Sequence, residues 1–208
     1  MKKLLIAALA TLALCVPVSA AKATLPIYVT NRSALPDSAV RNDLRAFQRN
    51  IRDIRAWWGG PYRQLRFVKA APPGHWRINI VKDENQGYLG YHDLDNELTP
   101  YAVIDVVEGY SWTNTFSHEL EEMWVDPFID QYAFPVPGLP CIKEIADPVE
   151  SETLGYYRLA YDGSKVLLSD FVGPAWFNSA NKTGPYDFMG FTTMPWQVLA
   201  DGYQWCGQ

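Results

Sequence analysis

An α+β fold is predicted for this chain, on three observations. Between residues 25 and 125, short β-prone runs and two helical periodicities follow one another in the order β-α-β-β-β-α. From about residue 128 the chain turns irregular and rich in proline, glycine and aromatic residues. The length of 208 residues, with 20% charged and 14% aromatic, suits a single domain with its own core rather than a disordered chain. The formal net charge of −5 argues against a nucleic-acid partner and against a polybasic membrane-surface protein.

The first twenty residues read as a cleaved signal peptide. Met1-Lys2-Lys3 is a short basic start, Leu4 to Val16 is nearly unbroken apolar sequence, and small residues follow at Val18 and Ala20. The run is too short for a stable membrane span, and no later run is both long and apolar. A secreted or periplasmic protein without a membrane partner is therefore expected. Cleavage also removes Cys15, which leaves Cys141 and Cys206. Export favours a Cys141–Cys206 disulfide, with two buried thiols as the alternative.

Leu25 to Thr30 is the first strand. Pro36-Asp37-Ser38 opens a helix, with proline at its start and an acid in its first turn. The apolar stripe Val40, Leu44, Phe47, Ile51, Ile54, Trp58 has helical spacing, and Gly59-Gly60-Pro61 ends it. Arg41, Asp43, Arg45, Arg49, Arg52 and Asp53 form the opposite, solvated face. Strands are expected at Leu65 to Lys69, Trp76 to Val81 and Tyr101 to Val107, with a loop or short strand over residues 86–92. A second helix runs from Thr113 to Val125 and stops at Asp126-Pro127. Beyond it, Leu154 to Tyr161 and Lys165 to Val172 form a hairpin around Asp162-Gly163. The aromatics of the last thirty-five residues are expected to pack as core. No repeat or linker interrupts residues 21–208, read as one domain with lobes 21–127 and 128–208.

The second helix carries the chemistry. At 100° per residue, Phe116, Leu120, Met123 and Trp124 share one side, while His118 and Glu122 stack one turn apart on another. Two ligand-type groups so placed can grip one metal ion, and Glu119, rotated around the axis, can reach a water beside it. This His-Glu-x-x-Glu run resembles the His-Glu-x-x-His helix of the zincin-like metallopeptidase superfamily. The resemblance covers about half the chain. It implies a mixed twisted sheet, a backing helix, an edge strand beside the cleft (here Tyr101 to Val107) and then the metal helix. It further implies a divalent metal ion, an extended peptide or protein substrate, and Glu119 as general base. The third ligand it requires from farther along falls on Glu144, 22 residues after Glu122. Asp147 is then either a partner that orients His118 or the ligand itself.

The same residues have plainer readings. Glu121 and Glu122 fit the wet face of an amphipathic helix, and Asp147-x-x-Glu150 fits a helix cap. His75 and His92 read as loop or surface histidines. Either of them, or Tyr156, Tyr157 or Tyr186, is available to stabilise an oxyanion. Met194-Pro195 is more simply a core methionine than a turn under a metal. The substitution of Glu122 for a second histidine makes the ligand set carboxylate-rich. That set weakens a bound Zn²⁺ as a Lewis acid and shifts preference toward Mn²⁺ or Ca²⁺. Two functions follow: an exported metal-dependent peptidase, or a catalytically silent binding or structural protein of the same fold.

Overall fold

The computed structural model describes residues 25–82 and 87–207. The predicted leader, residues 1–20, lies outside the described residues. The fold is α+β, with a mixed five-stranded sheet and two helices. Its strands are β1 (Leu25–Asn31), β2 (Arg63–Phe67), β3 (Arg77–Val81), β4 (Gly90–Leu94) and β5 (Pro100–Asp105). Helix α1 (Asp37–Trp58) connects β1 to β2, and α2 (Trp112–Val125) follows β5. The spatial order is β2-β1-β3-β5-β4. Ladders are parallel except between β4 and β5, where His92 pairs with Ala102.

That order corrects one expectation. The strand at residues 100–105 is interior, and the edge belongs to β4, in the segment expected to be mostly loop. The β4 sequence Gly-Tyr-His-Asp-Leu carries few β-branched residues, so propensity gave little signal. Pairing with β5 supplies what propensity does not.

Alternation places Ile27 and Val29 of β1, and Ile78 and Ile80 of β3, in a core roofed by Val40, Phe47, Ile51 and Ile54 of α1. The two helices meet where Phe47 stacks on Phe116, ring centroids 3.9 Å apart. The polar face of α1 is used more than a solvated face would be. Arg41 lies 4.0 Å from the Phe67 ring centroid, and Asp53 pairs with Arg158 at 2.9 Å.

After α2 come three short pieces: the hairpin β6 (Tyr132–Ala133) with β7 (Cys141–Ile142), a 3₁₀ turn at Asp147–Val149, and the hairpin β8 (Tyr156–Leu159) with β9 (Lys165–Leu168). The second hairpin turns at Asp162-Gly163, where Gly163 has a φ of 88°. These pieces share one hydrophobic cluster with the sheet, through Ile145, Val149, Leu168, Phe171 and Trp176. The late aromatics divide. Trp176 and Tyr186 are buried, Phe177, Phe188 and Trp196 lean on the core, and Phe191, Tyr203 and Trp205 are exposed. Met194 is 58% exposed, so it is neither a core residue nor a floor under α2.

The last residues form a strap. Cys141 and Cys206 are disulfide-bonded, Ile142 N–H donates to Trp205 O at 3.1 Å, and Gly207 N–H donates to Pro140 O at 2.8 Å. The bond closes 65 residues of separation. Reduction is expected to lower stability by roughly 4 kcal/mol in the chain-entropy account. Denaturant midpoints with and without reductant, on alkylated protein, check it.

A buried pair of acids organises the loop after β9. Asp187 accepts hydrogen bonds from Phe191 N–H at 2.9 Å and from Thr192, and Asp170 accepts from Phe171 N–H at 2.8 Å and Met189 N–H at 3.1 Å. Burial, then the Asp187 charge, pushes Asp170 up to about 8. The folded chain thus holds a proton that the unfolded chain releases near pH 4. This contribution to stability is full below about pH 4 and is lost as pH rises through the folded value. Asp170→Asn should flatten the fall in denaturant midpoint over that range, and unfolding curves at several pH values test it.

Candidate metal centre

Ser111 caps α2, its Oγ accepting from Asn114 N–H at 3.3 Å, and Asp126 with Pro127 ends it. Every residue from Thr113 to Val125 is buried, so the helix has no wet face. Glu121 points away from the other acids, toward α1. There Asn50 Nδ2 donates to Glu121 Oε1 at 2.6 Å and to the Tyr156 hydroxyl at 2.9 Å. Burial pushes the Glu121 carboxyl well above its ordinary range, which disfavours its charged form.

His118 and Glu122 face the segment that follows β7. His118 Nε2 lies 3.4 Å from Glu122 Oε1 and 3.2 Å from Asp147 Oδ1. Glu122 Oε1 also accepts the backbone N–H groups of Ala146 and Asp147, each at 3.2 Å. Those bonds fix the 3₁₀ turn against α2 and aim Asp147 at the imidazole. Asp147 does not cap a helix: its turn has no side-chain cap, and its carboxylate is committed to His118. The second acid at His118 is therefore Asp147. The Glu144 carboxylate faces His92, with Oε2 3.7 Å from Nε2.

His92 is no surface histidine. Its side chain is 5% exposed, with Nδ1 3.5 Å from Glu119 Oε2 and 3.7 Å from Glu122 Oε2. Because β4 is antiparallel to β5 and packs on α2, it delivers His92 to the same acids as the helix. The sequence offered His92 only as a loop or surface histidine or an oxyanion candidate, because a segment read as loop or short strand gave no sign that it pairs with β5 against α2. By contrast, His75 is exposed on a loop beside Tyr28, Tyr157 is exposed on its hairpin, and Tyr156 and Tyr186 are buried in the interior.

Four carboxylates and two imidazoles thus share one buried volume. Burial opposes charge on His92, but the Glu119 contact and the Glu144 and Glu122 charges outweigh it and push the ring up to about 9. Burial likewise opposes charge on His118, and Glu122 and Asp147 outweigh it. Burial, followed by neighbouring negative charge, raises Glu122 and Glu144. The cluster as a whole retains protons at neutral pH.

The spacing fits a metal ion. Two donors about 2.0–2.2 Å from one tetrahedral ion lie roughly 3.3–3.6 Å apart. The separations of 3.4 and 3.2 Å around His118 Nε2 are close to that range, and His118, Glu122 and Asp147 offer mutually adjacent ligand atoms.

A cleft of about 590 Å³ opens onto His118 and Glu119. Leu89 and Gly90 at the start of β4 form one wall, and Glu150, Asp201, Tyr203 and Trp205 form the other. Two glycines allow the close approaches. A Cβ on Gly90 would stand 2.8 Å from Glu119 Oε1 and 2.7 Å from Thr115, so only glycine lets β4 lie against Glu119. A Cβ on Gly202 would stand 2.5 and 2.6 Å from the Pro148 and Asp147 carbonyl oxygens, so glycine lets the strap close over the Asp147 turn. That strap brings Tyr203, which sequence reasoning did not single out. Its N–H donates to Asp147 O at 3.0 Å; although the residue is exposed overall, partial burial of its hydroxyl, then the charge and hydrogen bond of Asp147, pushes that hydroxyl above the ordinary range.

Ligation needs the imidazole and carboxylates without their protons. Divalent cation affinity should therefore rise from pH 6 to pH 8, with protons released on binding, and His118→Ala should abolish the tightest site. Calorimetric titration in buffers of different ionisation enthalpy measures both. No protein-family model, curated protein or solved structure matches this chain.

Proposed function

We propose that this chain is an exported, metal-dependent peptidase of zincin-like architecture, holding its ion with His118, Glu122 and Asp147 and using Glu119 as general base. The observation that carries the reading is the His118 Nε2 atom flanked by Glu122 at 3.4 Å and Asp147 at 3.2 Å, with Glu119 of the same helix on the wall of an open cleft. The outer edge of β4 supports a peptide substrate, because it has no strand partner among the described residues and begins beside Glu119. An extended chain added there would lie along the cleft with its backbone hydrogen-bonded. The disulfide is compatible with an oxidising compartment, and no helix among the described residues is long and apolar enough to cross a membrane.

A bound divalent ion supplies positive charge that polarises a carbonyl and eases removal of a proton from water. Glu119 receives that proton and returns it to the departing amine. Gly90 lets the edge strand lie close to Glu119, and Tyr203, on the cleft wall with its hydroxyl on Asp147, would have to leave that carboxylate to donate to a developing oxyanion. One imidazole and two carboxylates bring a divalent ion to zero net charge. This supports the second reading, a binding protein of the same fold.

Glu119→Gln separates the two. For a peptidase it should preserve the fold and the tightest ion while lowering turnover of a peptide library by on the order of 10²–10⁴. Unchanged turnover would remove Glu119 from the role of base. A wild-type protein that binds metal yet cleaves nothing would favour the binding reading.

A further inference from the structure

The donor atoms in the buried cluster exceed what one ion uses. His118, Asp147 and Glu122 Oε1 form one group. His92 Nδ1, Glu119 Oε2 and Glu122 Oε2 form another, with ligand atoms close enough for a single ion. Glu122 belongs to both, and its two oxygens face different groups. We propose that the centre is binuclear: a second divalent cation binds His92, Glu119 and Glu122, with the Glu122 carboxylate bridging the two ions.

Two further observations support it. A ligating histidine usually gives its other ring N–H to a carboxylate, which fixes the tautomer. His92 Nε2 and Glu144 Oε2 are both buried, both lack a hydrogen-bond partner, and face each other at 3.7 Å. Buried polar atoms are rarely left so, and ligation at Nδ1 places the proton on Nε2, aimed at Glu144. The second observation is charge. Glu119, Glu122, Glu144 and Asp147 are four carboxylates, and among the described residues no lysine or arginine forms an ion pair with any of them. Once ligation has displaced the protons, leaving both imidazoles neutral and all four acids ionised, one divalent ion balances two of the four charges and two ions balance all of them. The second ion also engages Glu119, so hydrolysis should rise with the first equivalent of metal and fall with the second.

The inference rests on the reading of His118, Glu122 and Asp147 as a metal site, and the two can fail separately. Equilibrium dialysis of the full mature chain against Zn²⁺, followed by elemental analysis, should find two ions with separable affinities. His92→Phe should lose the weaker one and keep the tighter. Glu144→Gln should weaken the second ion by about 10–100-fold and leave the first unchanged. If His92→Phe does not fold, Glu144→Gln and the wild type decide. Titration of wild type with Mn²⁺ should convert the six-line electron paramagnetic resonance signal of the first ion into a spin-coupled spectrum, since a shared carboxylate couples the pair. One ion at saturation, two ions without spin coupling, or two ions insensitive to both variants would overturn the binuclear centre and leave the proposed function standing. No bound ion at all would overturn both.

Discussion

Burial of α2 from Thr113 to Val125, with His118, Glu119, Glu121 and Glu122 on it, is the constraint that the rest of the structure answers. A carboxylate moved out of water costs several kcal/mol unless something meets its charge. Glu121 meets the requirement with a hydrogen bond from Asn50 and a burial that favours its neutral form. Glu122 meets it with two backbone N–H groups and His118. Glu119 meets it with His92. Each solution recruits a different part of the chain, and together those parts are α1, the 3₁₀ turn and the edge strand.

The remaining architecture holds these partners in place. The β6–β7 hairpin and the disulfide fix the start of the segment that carries Glu144 and Asp147, and the strap crosses back over it through Gly202. Residues from the first strand to the last share one cluster, so the N-terminal sheet and the irregular lobe are not independent. A site assembled between them depends on both, and a disturbance of either is felt at His118.

The arrangement has a cost. Buried atoms without a hydrogen-bond partner occur on or beside α2, at His92, Glu144, Glu121, Asn50 and Asn114, and also farther along the chain at Asp170, Trp196 and Gln204. Native chains keep few such atoms. The stability that offsets it comes from elsewhere, chiefly the stacked aromatics and the Ile-rich interior of the sheet.

The sequence by itself determined both helices, the first three strands, the late hairpin, the cysteine pairing and the relation of His118, Glu119 and Glu122. All of these rest on local periods, caps and turns, or on there being two cysteines left to pair. It did not decide which strand forms the edge, because β4 has weak propensity and is held by pairing with β5. It therefore did not place His92 against α2. It also could not say which of Glu144 and Asp147 lies beside His118; Glu122 accepting the backbone N–H groups at 146 and 147, a contact of long sequence separation, brings Asp147 there. Nor could it place Tyr203, which reaches the cleft only because Gly202 lets the strap pack on the Asp147 turn. Helical spacing fixes what lies on one helix; what faces that helix depends on how distant segments close around buried charge, and only the tertiary structure decided that.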